Sequence, residues 1–369
     1  MNAGSGVTTV AMTGADGFLG WHTKCALHSV GIETVEVPVG DAFDQDQAVA
    51  ALAGADRLIH LAGVNRGTDD EVAQGNALFA TQIAGALAST DSPPAAISYA
   101  NSIQADNGSV YGSAKARAAD VLAGAAATVG ATFADVRLPN LFGEHGRPFY
   151  NAVTSTFCHL LATGGNPSVE VDRDLTLLHA QDAAEVLAGL AGEAALVERA
   201  TTLTVSGLLD RLRIIAATYA DGTIPALATP FDRDLVNTYR SYTIDRLPWP
   251  LVRHADARGS FFETIKVVAG QGQTSFSTTV PGVTRGDHYH RRKIERFVVL
   301  DGRATMRIRR MFTHEVRTFE VTGEAPVAVD MPTMWTHNIT NTGDSTLFTQ
   351  FWISAIYDPT NPDTVLEAV

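Results

Sequence analysis

The stretch GVTRGDHYHRRKIERFVVLDG, Gly282 to Gly302, places the tightest constraint on this chain. His288 and His290 are two residues apart, so on a β-strand both side chains point to one face. Glu295 can return on the next strand, and His337 follows in PTMWTHNITN. Three imidazoles and a carboxylate form a donor set for Zn²⁺, Fe²⁺, Mn²⁺ or Ni²⁺. The surrounding sequence reads as short strands rich in Val, Thr and Phe, broken by Gly, Pro, Asn and Asp. They are SFFETIKVV, QTSFSTTV, ERFVVLDG, ATMRIRRM, VRTFEVTG, APVAVDMP, HNITNTG and TLFTQFWI. This pattern predicts an antiparallel sandwich or barrel.

Residues 1–246 have a different texture. TTVAMTG, TVEVPV, RLIHLAG, PAAISYAN and TFADVRLPN read as strands. GWHTKCALHSV, QAVAALAG and an Ala-rich segment from about Tyr111 read as helices. The β-α alternation predicts a parallel sheet covered by helices. The proline-bounded LPWPLV at Leu247 marks the change, giving two domains, 1–246 and 247–369.

The first domain carries a second chemical signature. TGADGFLG supplies Gly14, Gly17 and Gly20 between a strand and a helix, where a tight turn and free helix N–H groups cradle a pyrophosphate. In YGSAK, Tyr111 and Lys115 are four apart and share one helix face. A nearby ammonium is expected to lower the tyrosine pKa, and the lysine can hold a nicotinamide ribose. Ser102, in NSIQA, falls at a strand end, where its hydroxyl can bond a substrate carbonyl or alkoxide.

Composition narrows the partners. The 369 residues are 45% hydrophobic, with formal net charge −13. This argues against general affinity for nucleic acid or an anionic membrane. Cys25 and Cys158 lie in apolar helical contexts and read as core residues. The N-terminus shows neither a charged nor an apolar signal region, and no apolar run reaches transmembrane length, so the expected location is the cytoplasm.

The first half resembles the extended short-chain dehydrogenase/reductase family, through the glycine loop, His60–Gly63, Asn76, Ser102, Tyr111, Lys115, Arg137–Gly143 and Asp182. The resemblance implies a Rossmann-like fold and a nicotinamide cofactor. It would be held by Gly14, Gly17, Phe18, Leu19, Gly20, Leu61, Ala62, Gly63, Tyr111 and Lys115, with Asn140 and Arg173 on the sugar-nucleotide side. Where relatives often carry an acidic residue for the ribose 2′ position, this chain has Pro38, with Glu36 and Asp41 only as neighbours. NADPH is expected, and NAD stays open. The second half resembles the cupin superfamily, an all-β double-stranded helix, through Gly282, His288, His290, Glu295 and Gly302, then Pro332, His337 and Asn341. Met334 replaces the glycine usual after the proline. Asp256, Arg258, Gly259 and Glu263 resemble the opening of cupin-type deoxysugar epimerases. Zn²⁺ is the expected metal, with other divalent transition metals open.

This order of halves resembles a family of bifunctional capsular polysaccharide enzymes. The resemblance implies C3 epimerisation of a UDP-4-keto-6-deoxy-N-acetylhexosamine in the cupin, then NADPH-dependent reduction of the C4 ketone, a step towards UDP-N-acetyl-L-fucosamine. Chemistry imposes the same order, because a C3 proton is acidic only while C4 is a ketone. Lys266, His314 and Tyr357 are candidates for the cupin base. The alternative is an NAD-dependent sugar-nucleotide epimerase or dehydratase whose cupin is a dimerisation platform with structural zinc. A homodimer is expected, since cupin sheets often pair across subunits.

Overall fold

The computed structural model describes residues 7–257 and 259–369. Arg258 of DARGSFFE therefore lies outside the described residues. Contacts divide the chain into two compact units. One comprises Met1–Phe142, Tyr150–Ala152 and Asp174–Leu203; the other comprises Gly143–Phe149, Val153–Arg173 and Thr204–Val369.

The first unit begins with β1 (Thr9–Thr13), α1 (Phe18–His28), β2 (Glu33–Glu36), α2 (Gln45–Leu52), β3 (Arg57–His60) and α3 (Asp69–Ser89). It continues with β4 (Ala96–Ser102), α4 (Val110–Val129) and β5 (Thr132–Leu138). The five strands pair in parallel in the order β2-β1-β3-β4-β5. Strand residues alternate between two cores. Ala11, Leu58, Ile97 and Tyr99 pack with Ile83, Leu87 and Leu122 of α3 and α4. Val10, Met12, Ile59 and Ala100 pack with Leu27 and Leu187 on the opposite face. Both faces are thus covered, as a parallel sheet requires. The strand order turns back at β1, so the loops after β1, β3 and β4 gather at the switch point where such sheets bind ligands. A small sheet of β6 (Asn140–Phe142), β7 (Asp174–His179) and β8 (Thr201–Thr204) extends this unit. In chain order α5 (Val153–Ala162) precedes β7, and α6 (Ala180–Leu187) and α7 (Ala195–Glu198) follow it.

The second unit holds α5, α8 (Val205–Tyr219), α9 (Pro230–Arg240) and the β-rich remainder. Its strands are β9 (Trp249–Pro250), β10 (His254–Asp256), β11 (Gly259–Phe261), β12 (Gln273–Thr279), β13 (Thr284–Tyr289) and β14 (Glu295–Asp301). After these come β15 (Arg303–Arg310), β16 (Val316–Thr322), β17 (Val327–Met331), β18 (Trp335–Asn341), β19 (Leu347–Ile353) and β20 (Val365–Leu366). Two five-stranded antiparallel sheets, β12-β19-β14-β17-β9 and β16-β15-β18-β13-β20, enclose Val299, Met306, Ile308, Val329, Trp335, Ile339 and Leu347. β10 and β11 form a separate hairpin. SFFETIKVV is not one strand. After Phe261 it runs irregularly, with one short parallel bridge from Val267 to Ile224 that occupies its backbone groups. The sequence texture changes at Leu247, yet α5, α8 and α9 pack with the later strands.

The reason is a buried ion network within the second unit. Arg296 on β14 grips Asp330 on β17 with two bonds, 2.5 and 2.9 Å, and donates to the Gly222 carbonyl at 2.6 Å. The Tyr219 hydroxyl at the end of α8 donates to Asp330, and Arg240 on α9 donates to the Met331 carbonyl at 3.1 Å. Burial pushes the Asp330 carboxyl up, but the Arg296 guanidinium overrides this and leaves it below its ordinary pKa. Removing one partner strands a buried charge. Asp330→Ala should cost about 3–5 kcal/mol by denaturant unfolding, whereas the double replacement Arg296→Met with Asp330→Leu should cost less. Equal losses would contradict this assignment. Among the described residues, no helix is long and apolar enough to cross a membrane.

Candidate active sites

The glycine loop opens the first site. Gly14 ends β1 at φ +68°, where a Cβ would sit 2.8 Å from the Ala62 nitrogen. A Cβ on Gly20 would fall 2.2 Å from the Gly14 carbonyl oxygen, so only glycine lets α1 start this close to the turn. Gly17 caps α1 without a side-chain bond, which leaves first-turn amides able to receive phosphate oxygens. Phe18 and Leu19 open the helix, Leu19 packing on the core. Thr13 Oγ1 accepts the Leu61 and Ala62 amides, each at 3.1 Å, and lies 2.9 Å from His60 Nδ1. With both acceptor positions used, the hydroxyl donates to a neutral His60. Burial and the Lys115 charge hold that imidazole down at about 3. A Cβ on Gly63 would meet Asn76 Oδ1 at 2.9 Å and Lys115 Nζ at 3.7 Å. The missing side chain thus brings this loop beside the lysine. These features fit a dinucleotide.

Ser102 ends β4, and Tyr111 and Lys115 stand one turn apart on α4. Ser109 caps the helix by accepting the Gly112 amide at 3.0 Å. A Cβ on Gly112 would lie 2.1 Å from the Gln104 carbonyl, so the glycine of YGSAK allows α4 to abut the loop after Ser102. Lys115 is 4% exposed, donates to the Ala100 carbonyl at 2.6 Å and lies 4.2 Å from the Tyr99 ring centre. The expected lowering of the tyrosine pKa is not what the structure shows. Burial raises Tyr111, and only a hydrogen bond with Ser102 draws it back. Burial instead pulls Lys115 down to about 7, against the opposing Asp135 charge. Asn140 is exposed on β6, donating to the Thr176 carbonyl at 3.3 Å. Arg173 belongs to the other unit, exposed just before β7, with its carbonyl accepting the Val205 amide. At the end of β2, Glu36 is held by Lys24 at 3.1 Å.

The second site gathers all four expected ligands. His288, His290, Glu295 and His337 offer donor atoms within 4.8 Å of one another. His290 Nε2 and His337 Nε2 lie 2.9 and 3.0 Å from Glu295 Oε2, and His288 Nε2 lies 3.9 Å from it. A β-bulge sets this convergence. The register pairs Gly286 with Asn338 and then His288 with His337, so Asp287 is the extra residue. Gly286 lies against β18 so closely that a Cβ would be 2.6 Å from the His337 carbonyl. The outward ring nitrogens are also engaged. His290 Nδ1 donates to the Asp363 carbonyl at 2.6 Å, and His337 Nδ1 faces the Trp335 carbonyl at 3.2 Å. Both Nε2 atoms are thereby turned towards Glu295 and the centre of the cluster, the second-sphere arrangement that metal-binding histidines use. Burial would raise Glu295, but hydrogen bonds from the three histidines hold it well below the usual carboxylate range. The donor set fits a divalent transition metal.

Sequence reading missed the tail's part in this centre. The Asp363 carboxylate accepts the amides of Arg291, Arg292 and Lys293 at 2.9–3.0 Å, clamping the turn between His290 and Glu295. The signal was DPTNPDT, whose two acidic residues were legible but whose partners were not. Met334 does adopt the glycine-like conformation, φ +59°. A cavity of about 180 Å³ opens beside the ligands, lined by His288, Glu295 and His337 with Phe297, Phe351, Met306, Ser277 and Arg285. Lys266, His314 and Tyr357 are not among its lining residues. Lys266 is exposed and paired with Glu263, and His314 and Tyr357 lie at the surface.

Lys115 yields a direct test. Its folded pKa is depressed, so between pH 7 and 10.5 the unfolded chain holds a proton that the folded chain has lost. Stability conferred at this position must rise with pH across that window, by up to about 1.4 kcal/mol per pH unit. In the nicotinamide-free protein, the gain between pH 7 and pH 9 should be about 2 kcal/mol larger in wild type than in Lys115→Met. Parallel pH profiles from urea unfolding would contradict the buried, depressed lysine.

Comparison with known proteins identifies the chain's relatives. A family described as the polysaccharide biosynthesis C-terminal domain matches residues 254–365. A Pseudomonas aeruginosa protein named UDP-2-acetamido-2,6-beta-L-arabino-hexul-4-ose reductase is 32% identical over 374 residues, spanning 96% of this chain and 97% of its own. The crystal structure of the capsular polysaccharide assembling protein CapF from Staphylococcus aureus matches 98% of this chain and 100% of its own, at TM-score 0.61 and 33% identity. CapF with the inhibitor 3-isopropenyl-tropolone matches at TM-score 0.56 and 31% identity, over 98% and 100% of the two chains. The Rossmann-like half with Ser102, Tyr111 and Lys115, the β-rich half with its His288, His290, Glu295 and His337 cluster and this end-to-end similarity lead to one assignment: the chain belongs to the CapF-type family of capsular polysaccharide enzymes.

Proposed function

We propose that this chain is a bifunctional nucleotide-sugar enzyme. The cupin inverts C3 of a UDP-4-keto-6-deoxy-N-acetylhexosamine, and the reductase half then reduces the C4 ketone with NADPH. The observation that carries this reading is that one chain brings Ser102, Tyr111 and Lys115 to the end of β4 and the start of α4, and gathers His288, His290, Glu295 and His337 in a second cluster that could hold a metal. The reductase named for the Pseudomonas relative supports a 4-keto UDP-sugar as substrate.

At the first site, NADPH would supply the hydride to C4. Tyr111 gives its proton to the C4 oxygen, and Ser102 holds that oxygen by hydrogen bonding. The raised Tyr111 pKa keeps the phenol protonated near neutral pH, which suits a proton donor. Lys115, anchored on Ala100, is the group beside the loop of Leu61, Ala62 and Gly63 that can hold the cofactor ribose. NADPH rather than NADH is supported at the end of β2. Pro38 stands there in place of the acidic residue that would take a free 2′-hydroxyl, and the neighbouring Glu36 is paired with Lys24. Asn140 and Arg173 are proposed for the sugar-nucleotide side.

At the second site, the C3–H bond breaks, its electron pair moves into a C3–C4 double bond, and charge develops on the C4 oxygen. A general base takes up the C3 proton, and a proton exchangeable with solvent is then delivered to the opposite face. A bound Zn²⁺ would act as a Lewis acid towards that oxygen. The cavity beside His288, Glu295 and His337 supports a catalytic role over a closed structural site. The adjacent oxygens of a tropolone, present in the inhibitor of one CapF structure, chelate divalent metals and favour the same reading. A homodimer and a cytoplasmic location belong to this proposal.

Tyr111→Phe should lower NADPH oxidation with the 4-keto sugar about 10²–10⁴-fold while leaving solvent-deuterium exchange at C3 intact. His290→Ala should abolish that exchange in folded protein. Absence of net NADPH oxidation by the wild type, or unchanged exchange in His290→Ala, would overturn the corresponding half. The second result would favour a cupin that serves only as a zinc-stabilised platform.

A further inference from the structure

One short piece of the chain crosses the boundary that the sequence texture suggests. Gly143–Phe149 directly follows RLPNLF, yet it packs within the cupin-bearing unit. Glu144 is 1% exposed, and its Oε1 accepts the Thr333 hydroxyl at 2.6 Å. His145 is next, at φ +61°, and its Nε2 accepts the Trp335 indole N–H at 3.1 Å. Two consecutive residues thus hold both ends of the tripeptide Thr333–Met334–Trp335.

That tripeptide supports two of the four ligands. The Met334 amide donates to the His290 carbonyl at 2.7 Å. The Trp335 carbonyl faces His337 Nδ1 at 3.2 Å, which leaves Nε2 turned towards Glu295. The centre of the tripeptide is strained. Met334 is fully buried at φ +59°, in the left-handed region that a glycine enters without steric cost and a methionine does not. A non-glycine residue keeps such a conformation only where its surroundings over-determine it. The bonds from Glu144 and His145 are part of those surroundings, together with the bonds that Met334's own amide and carbonyl make to His290 and Met311.

We propose that Glu144 and His145 are positioning residues of the metal centre. By bracketing Thr333–Trp335 they hold the backbone that presents His290 and His337 to a divalent transition metal. The inference rests on the reading that these four residues bind such a metal. It adds that the centre draws on residues about 100 positions before the cupin strands begin and is not complete within residues 247–369.

The test is Zn²⁺ affinity of the full-length chain, by competition with a chromophoric chelator. Wild type is compared with Glu144→Ala, Glu144→Gln and His145→Phe, with His337→Ala as the reference for a lost ligand. Glu144→Ala and His145→Phe should each weaken Zn²⁺ binding about tenfold or more, as loss of supporting partners does at metal sites. Glu144→Gln keeps an oxygen acceptor for Thr333 and should stay within about twofold of wild type. Urea unfolding in EDTA separates this from simple destabilisation, because a purely structural role lowers metal-free stability and leaves the affinity of the folded protein unchanged. That outcome, in either Glu144→Ala or His145→Phe, overturns the positioning role while the metal site stands. Wild-type affinity no tighter than that of His337→Ala overturns the metal site itself, and the positioning role with it.

Discussion

A carboxylate buried among three imidazoles is the constraint on which this structure turns. Glu295 is 4% exposed and reaches its low pKa only because His288, His290 and His337 converge on it. Without partners, such a group would cost several kcal/mol and take up a proton. Much local architecture serves the convergence. The bulge at Asp287 aims His288 across at His337, and Gly286 permits the close strand approach beneath it. Asp363 ties down the turn that links His290 to Glu295. A second polar cluster, Arg296 with Asp330, fixes α8 and α9 to the same barrel, so its outer wall is built partly from helices.

The reductase site follows the opposite logic. There a charge-bearing group is buried against a carbonyl and an aromatic face with no direct carboxylate partner among the described residues, and burial outweighs the Asp135 charge to lower Lys115 to about 7. The tyrosine beside it stays protonated. Such a pair is matched to delivering a proton to an oxygen that gains charge, not to removing one. In the proposed reading the two sites divide the labour as the chemistry of a 4-keto sugar demands, since carbon acidity at C3 exists only before C4 is reduced.

Much of this was legible in the sequence because local rules agree with the tertiary result. The β-α alternation, the glycine loop, Ser102, Tyr111 and Lys115, and the four ligands all lie where spacing places them. What was not legible depends on burial or on distant partners. The direction of the Tyr111 shift reversed because desolvation is the largest effect on the phenol, and a lysine lowered to about 7 carries little charge where a phenol titrates. SFFETIKVV has strand-like residues, but only its start pairs, in the β10–β11 hairpin, and beyond Phe261 it makes a single bridge to Ile224. Lys266, His314 and Tyr357 have the right chemistry for a base, yet none lines the cavity, because sequence distance says nothing about which loop tips face inwards. Met334 was seen as a departure. Only in the folded chain does the backbone keep the glycine-like angle, with Glu144 and His145 bonded to the residues on either side of it.

The most direct measurement is the structure of the product, by NMR, after a defined UDP-4-keto-6-deoxy-N-acetylhexosamine is incubated in deuterated water with the purified protein and NADPH. Action of both sites in the proposed order gives one 4-hydroxy sugar nucleotide, inverted at C3 and carrying deuterium there, with one equivalent of NADPH oxidised. A reduced product that keeps both its original C3 configuration and its C3 proton would contradict that order and the catalytic role of the metal-bearing site.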